Sequence, residues 1–515
     1  MTNSRVSKIC CYKGERLQAS RKIIPVLALL VLLPSWAWSA ASYTASSCSV
    51  SNVQSAITSC VNDSNCTTVN IPACSSTSWS TQLTVNPGSK NLIITGAGIG
   101  NTTIAPTLGN GIAITYTNGY TIKWDNMTIN MSGYTVASTP LFSTTGNGSN
   151  IFEFGYLNFI NMTNILVWHF TAYQFGVIDN CTFSGVGGEI GQIGDATIAG
   201  CQGWVSTTPW NGTANAVYFE TNTVTWSDHN EGVPLFDNYG GGRAVMRYNT
   251  FTNVAMGNHG ADSSICGGQG VELYNNSFTY NCSSGGSYNI TGGGWRGGRV
   301  IAFNNTFNFG TVCDMRGSTG DTLKLELYRA PGGYYPAWAN DCTPGNNVMF
   351  LNTVSSNWTS SSNGPYDCLA GSGSSCVWKL CSGASNQGTM TLCQSNSDCT
   401  GQGTCSFYAD GPAGGGYPCF NEPGGTGPGN TVQPGYEWNN TCSGGAYGPC
   451  VGGATVTFLV SAGPMQQNRD YYDCGTSQCA GFNYTAYTYP HPLAQSNPPP
   501  TGSTPSPPQN LQIQS

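Results

Sequence analysis

Charge is what this chain has least of: among 515 residues only 17 are Lys or Arg, 24 are Asp or Glu and 4 are His. A chain this poor in cations, and acidic on balance, lacks the electrostatic footprint that nucleic acid requires. It has no pull toward an anionic lipid surface either. Long apolar runs are equally scarce. The one that stands out, residues 23–33, follows Arg21 and Lys22 and stops at Pro34, short of the roughly 20 residues that span a bilayer. Small residues at 37–41 supply a cleavage site, so residues 1–41 read as a signal peptide. The mature chain is then secreted or held at the cell surface, with no membrane span of its own. Without the leader, 11 basic and 23 acidic residues remain, a net charge of −12.

Cysteine, by contrast, is plentiful. Cys10 and Cys11 belong to the leader and 21 others remain; in an exported chain they imply disulfides, and an odd number leaves at least one thiol unpaired. Seven of them fall within residues 366–420. Their spacing, with no His nearby, favours a disulfide-stapled loop over a zinc site.

Repetition is what the chain has most of. Arg243–Phe251, Gly270–Phe278 and Arg299–Phe307 carry nearly one pattern at offsets of 27 and 29 residues, the length of a solenoid coil. The frame extends back to Ala216–Asn222 and, more loosely, to Asp179–Phe183 and Asn352–Val354. With Asn222, Asn249, Asn276 and Asn305 in register, strand alternation puts Val217/Phe219, Ala244/Met246, Val271/Leu273 and Val300/Ala302 inside. The residues between them face outward in columns, about 4.8 Å per rung. One column is Ala216, Arg243, Gly270, Arg299; the next is Tyr218, Val245, Glu272, Ile301; the third is Glu220, Arg247, Tyr274, Phe303. The asparagines fall where strand gives way to turn, which suits a ladder of side-chain amides bonded from rung to rung. That accounts for their placement better than glycosylation does, although Asn276, Asn305 and Asn440 head Asn-x-Ser/Thr sequons.

Upstream, residues 53–57 read as a short helix, and 68–72, 82–85 and 91–104 as strands separated by turns. This stretch, with Leu-Ile-Ile-Thr-Gly-Ala-Gly-Ile-Gly at 92–100, resembles the amino-terminal cap and first coils of secreted, pectate-lyase-like parallel β-helix proteins. The likeness covers residues 50–360. It implies an all-β fold, a right-handed single-stranded parallel β-helix (solenoid) over 42–365 with a short N-terminal capping helix. A Cys/Gly-rich, disulfide-stapled insertion then occupies 366–435, a final coil and C-terminal cap 436–495, and a Pro-rich tail 496–515. The scaffold hosts many functions, so fold and activity are separate questions.

Seven of the mature basic residues crowd between 243 and 329: Arg243, Arg247, Arg296, Arg299, Arg316, Lys324 and Arg329. His259 and Asp262 follow the first of these strands; Asp237 and a run of glycines precede it, and glycine lets a ligand approach the backbone. One outward wall then gathers His259, Arg243, Arg299 and Glu272 as catalytic groups. Arg247, Arg296, Arg329, Tyr239, Tyr274 and Trp295 serve to bind substrate, and Asp237 and Asp262 to hold Ca²⁺, as the resemblance to β-helix lyases implies. The expected partner is an extended polysaccharide, as substrate or ligand, and the protein is expected to be a monomer. On a uronate, Arg or Ca²⁺ neutralises the carboxylate while His259 or an Arg withdraws the neighbouring proton, which makes a polysaccharide lyase. On a neutral glycan, a carboxylate pair makes a glycoside hydrolase. The alternative pairs Glu220 with Arg247 and Arg243 with Glu272 as cross-strand ion pairs. The chain is then a non-enzymatic adhesin, structural fibre, or glycan- or ice-binding solenoid.

Overall fold

The computed structural model describes residues 41–494 except 137–138, 195–209, 228–233, 259–267, 282–293, 296–297, 314–324, 328–378, most of 382–433, 448–449, 457, 461–466 and 469–470. The leader, the Pro-rich tail and the Asn352–Val354 frame lie outside the described residues.

Strands stack rung upon rung in three series. The first contains Val217–Glu220, Arg243–Arg247, Gly270–Tyr274, Arg299–Phe303 and Gly435–Trp438, each paired parallel with the next. The second runs from Thr182–Ile193 through Thr223–Trp226, Thr250–Thr252, Ser277–Tyr280 and Thr306–Phe309 to Thr441–Gly444. A shorter third series joins Gly257–Asn258, Gly294–Trp295, Leu325–Leu327 and Phe458–Val460. The repeat offsets are the observed register: Val217 faces Ala244, which faces Val271, which faces Val300. The chain is thus all-β with a large, mostly parallel sheet, an arrangement compatible with a solenoid.

Alternation assigns the interior as the pattern requires. Val217, Phe219, Ala244, Met246, Val271, Leu273, Val300 and Ala302 all lie in one buried cluster. Phe251, Phe278 and Phe307 of the second series stack within it, with ring centroids 4.9 and 4.7 Å apart. Each such ring, taken fully out of water, contributes roughly 2–3 kcal/mol.

The asparagine ladder is present along the corner between the first two series. Asn249 Oδ1 accepts from Asn222 N (2.9 Å), Asn276 Oδ1 from Asn249 N (3.0 Å), Asn305 Oδ1 from Asn276 N (3.1 Å) and Asn440 Oδ1 from Asn305 N (3.1 Å). Each Nδ2 donates to a backbone carbonyl one rung back, as Asn276 does to Met246 O at 2.9 Å. The residues just before the ladder, Thr221, Tyr248, Asn275, Asn304 and Asn439, take φ of 58, 58, 56, 55 and 52°. A left-handed turn at Thr or Tyr is unfavourable alone, so the ladder holds it in place. Cys181, not Asn180, takes the ladder position on the preceding rung: its N–H donates to Asn222 Oδ1 (2.8 Å) while its sulfur accepts from Leu157 N (3.4 Å). Asn180 is the left-handed residue there, φ 51°. Asn276 and Asn305 are 2% and 0% exposed, so their sequons are closed to a glycan in the folded chain.

Among the described residues, the chain separation between stacked rungs is widest at one step. The strand next to Arg299–Phe303 is Gly435–Trp438, and the ladder steps directly from Asn305 to Asn440, 135 residues later. The intervening stretch includes a small antiparallel sheet of Lys379–Cys381, Leu392–Cys393 and Cys405–Tyr408. At the other end, helix Val50–Asn62 is capped by Ser49, whose hydroxyl accepts from Asn52 N. It buries Val53, Ala56, Ile57 and Cys60, and disulfides Cys60–Cys66 and Cys48–Cys74 tie it to its neighbours. Lys90 Nζ closes the helix by donating to the carbonyls of Cys60 (2.9 Å) and Asp63 (2.6 Å), a cation where the dipole favours one. Cys442–Cys450 and Cys474–Cys479 are also bonded, and Cys181 is the free cysteine among the described residues. Among them, too, no helix is long and apolar enough to cross a membrane.

Candidate functional site

The expected wall exists, and it is covered. Arg243, Gly270 and Arg299 stand in register on successive rungs, with Glu272 two residues along from Gly270. Glu220, Arg247, Tyr274 and Phe303 form the neighbouring column. Two segments lie across both. The first, residues 210–215, uses the missing side chain at Gly270: a Cβ there would fall 2.5 Å from the Trp210 ring. Arg299 Nη1 donates to Asn211 Oδ1 (3.3 Å) and Arg243 Nη1 to Asn215 O (3.5 Å). Arg243 Nε also donates to Gln269 Oε1 at 2.5 Å.

The second is a C-terminal strap, residues 474–494. After Tyr471–Asp473 pairs with Gly435–Glu437, the chain turns back and passes down the wall toward earlier rungs. Phe482 stacks on Tyr436 (3.6 Å) and Tyr484 Oη donates to Glu272 Oε2 (2.6 Å). The carbonyls of Tyr487 and Thr488 accept from Arg247 at 2.6 and 2.8 Å. His491 N donates to Glu220 Oε1 (2.7 Å), and Leu493 O accepts from Lys123 Nζ (3.0 Å). The sequence places residues 487–493 in a cap on the far end; the structure lays them along the flank, where each polar group finds a charged partner. Beneath them sits a second apolar cluster of Val177, Tyr218, Val245, Tyr274, Ile301 and Trp438, closed by Phe482, Tyr484, Tyr487 and Leu493.

Burial sets the electrostatics. It lifts the Glu272 carboxyl above its ordinary value, against the donors Tyr484, Gly212 and Asn211. It pulls the Arg243 guanidinium down to about 10 and lowers that of Arg299. For Arg247, burial works downward too, but Glu220 and Tyr274 overcome it and hold the guanidinium above its ordinary value. Further along the same wall, burial raises Glu153 to about 7 despite the Lys123 ion pair. Asp179 is raised by burial and then by Glu153 and Glu220. The Glu153 and Asp179 carboxyls meet over Gly155, where a Cβ would lie 3.3 Å from an oxygen of each. Burial lowers the His491 ring to about 3.

Of the sequence-predicted groups, Arg243, Arg247, Glu272, Tyr274 and Arg299 share the wall, and the covering segments occupy it. Glu272 has both oxygens committed, Oε1 to Gly212 N (2.8 Å) and Asn211 Nδ2 (3.4 Å), Oε2 to Tyr484. Its expected ion-pair partner Arg243 bonds elsewhere, whereas Glu220 and Arg247 do pair, Oε2 to Nη2 at 2.6 Å. Tyr274 is buried, stacks on Phe303 (4.6 Å) and accepts from Arg247 (3.0 Å). Tyr239 Oη bonds His169 Nε2 at 2.8 Å. Trp295 is 0% exposed in the interior cluster, so it has no face to offer a sugar. Asp237 pairs along Phe236–Asn238 and lies near Glu189, whose carboxyl burial and then Asp237 raise to about 8. His259, Asp262, Arg296 and Arg329 lie outside the described residues. Among the described residues no group of three or more His, Cys, Asp or Glu is placed to hold a metal ion, and of the two expected Ca²⁺ ligands only Asp237 is among them.

The open face is the second series. Thr182, Thr223, Thr250, Ser277, Thr306 and Thr441 stand in register, and two residues on so do Ser184, Thr225, Thr252, Thr279, Asn308 and Ser443. Thr182, Thr223, Thr225, Thr250, Thr306, Thr441 and Ser443 are exposed and the other five partly so. Between the columns, Phe183, Val224, Phe251, Phe278, Phe307 and Cys442 point inward. Twelve consecutive outward positions thus carry hydroxyls or an amide and no ionisable or aromatic side chain. Sequence reasoning passed over this face because it weighted charge; the signal was the polar residue on each side of every inward Phe. No family model, no curated protein and no solved structure matches the chain.

Proposed function

We propose that the protein is an exported right-handed parallel β-helix acting as a non-enzymatic binding solenoid, with the Ser/Thr columns as its contact surface for an extended, uncharged ligand. The observation that carries this reading is the pair of in-register, solvent-facing columns over six rungs, while the charged wall is taken up by the strap. The cap helix and repeat length support the β-helix, and the disulfides support an extracellular setting. The test is co-sedimentation of the exported chain with insoluble uncharged polysaccharides and its partition into growing ice, with and without a Thr225→Lys/Thr252→Lys pair. Retention by neither solid, or retention unaffected by the two lysines, ends the proposal.

A second reading keeps the polysaccharide lyase or glycoside hydrolase, with or without Ca²⁺. What favours it is the proximity of Arg243, Arg299 and Glu272 and the raised Glu153 and Asp179 carboxyls. It requires the strap to leave the wall. Unsaturated uronate absorbance or new reducing ends after cleavage of the strap would support it; an inactive, strap-free chain would remove it.

A further inference from the structure

Resting on the binding-surface reading, we infer that the ligand is an ordered water lattice, the surface of an ice crystal. The two columns define a two-dimensional repeat, about 4.8 Å from rung to rung and roughly 6.6–6.8 Å from residue i to i+2 along each strand. The parallel register holds this repeat through six rungs without a slip. Rows of oxygens on the prism faces of hexagonal ice recur at closely similar intervals, so many weak contacts are made at once.

Side-chain chemistry points the same way. Threonine dominates, offering one hydroxyl and one methyl on a β-branched carbon whose χ1 is restricted, so little freedom is lost on contact. The face is neutral at all twelve positions, complementary to an uncharged solid; an ammonium or carboxylate would orient its own hydration shell and break the repeat. Glycan surfaces rely on aromatic rings that lie against sugars, and here every ring of this series is turned inward. The stacked Phe251, Phe278 and Phe307 and the Asn249–Asn276–Asn305 ladder stiffen the sheet from behind. A rigid, regular surface suits a crystalline partner.

The experiment uses the exported full chain in two arms: partition into slowly grown ice with recrystallisation in frozen sucrose, and pull-down on microcrystalline cellulose and chitin. We expect uptake into ice and arrested recrystallisation. T225K/T252K should lose at least about tenfold in ice uptake, with thermal unfolding unchanged, as should T250Y, a single bulky side chain breaking the plane. T58K, on the exposed side of the helix, should retain full uptake. Pull-down on cellulose or chitin without ice uptake overturns this inference and leaves the binding-surface reading standing. Neither overturns both. Ice uptake undiminished in T225K/T252K and T250Y places the activity elsewhere and also overturns it.

Discussion

Arg247 and Glu220 sit on adjacent rungs with Nη2 2.6 Å from Oε2, 0% and 1% exposed, and the strap closes over both through Tyr487, Thr488 and His491. Taking one partner from such a pair leaves a buried charge uncompensated, at about 3–5 kcal/mol. Arg247→Met should therefore lower the unfolding free energy by that amount, read as a lower urea midpoint, and open residues 474–494 to limited proteolysis. Arg247→Met with Glu220→Leu should recover much of the loss, since no lone charge then remains. Equal midpoints for parent and single variant would show that the ion pair does not hold the strap.

Acid should favour the folded state. Burial raises Glu153 to about 7 and Glu189 and Glu437 to about 8, and lifts Asp179 and Glu272 as well. Above the ordinary carboxyl pKa the unfolded chain releases protons the folded chain keeps, so stability falls as pH rises through those folded values. His491, lowered to about 3 by burial, acts oppositely: it removes stability as pH falls from about 6.5 toward 3. With more carboxyls raised than imidazoles lowered, the carboxyl effect prevails down to the ordinary carboxyl pKa, so the maximum lies at about pH 4 or below, with several kcal/mol lost by about pH 8 at roughly 1.4 kcal/mol per pKa unit. Urea midpoints across that range check this; a flat or rising profile contradicts it.

The Asn276 side chain carries four bonds of the ladder, accepting from Asn249 N and Nδ2 and donating to Met246 O and Asn305 Oδ1. Asn276→Ala orphans buried groups at about 1–3 kcal/mol each, and we expect a loss of about 3 kcal/mol or more. The same burial predicts that, made in a glycosylating host, the folded protein carries no glycan on Asn276 or Asn305, read by intact and peptide mass.

Cys181 is 1% exposed, and burial, then Asp179, raises its thiol well above the ordinary value. The native protein should leave the Cys181 peptide unmodified by iodoacetamide, while guanidinium without reductant should expose it to full alkylation. Labelling of the native chain at a rate comparable to free thiol would mean the rung opens.

Spacing and alternation sufficed to read the rungs, the interior residues and the neighbours of Arg247, because a strand of period two permits one assignment once Asn222, Asn249, Asn276 and Asn305 are aligned. In the looser frame Asp179–Phe183 it is Cys181, two residues before Phe183, that aligns with Asn249, and the ladder there takes a small thiol in place of an amide. The coil resuming at 436 was legible too, but its direct stacking on the Asn305 rung was not, since a repeat interrupted by 135 residues leaves no offset to count. Above all, the wall read as open because its cover comes from aperiodic segments. Nothing in Tyr484, Thr488 or His491 announces that their partners lie 212 to 271 residues earlier. Long-range contacts of backbone carbonyls depend on no side-chain code at all.

The jump between Asn305 and Asn440 has a consequence for how this molecule can change. A segment entering and leaving where two stacked strands meet imposes only that its ends return to neighbouring places, and the entropy of closing a loop grows slowly with its length. The seam is an interchange, a docking bay in the polypeptide where a different module could be spliced while the polar columns that cross it keep their spacing.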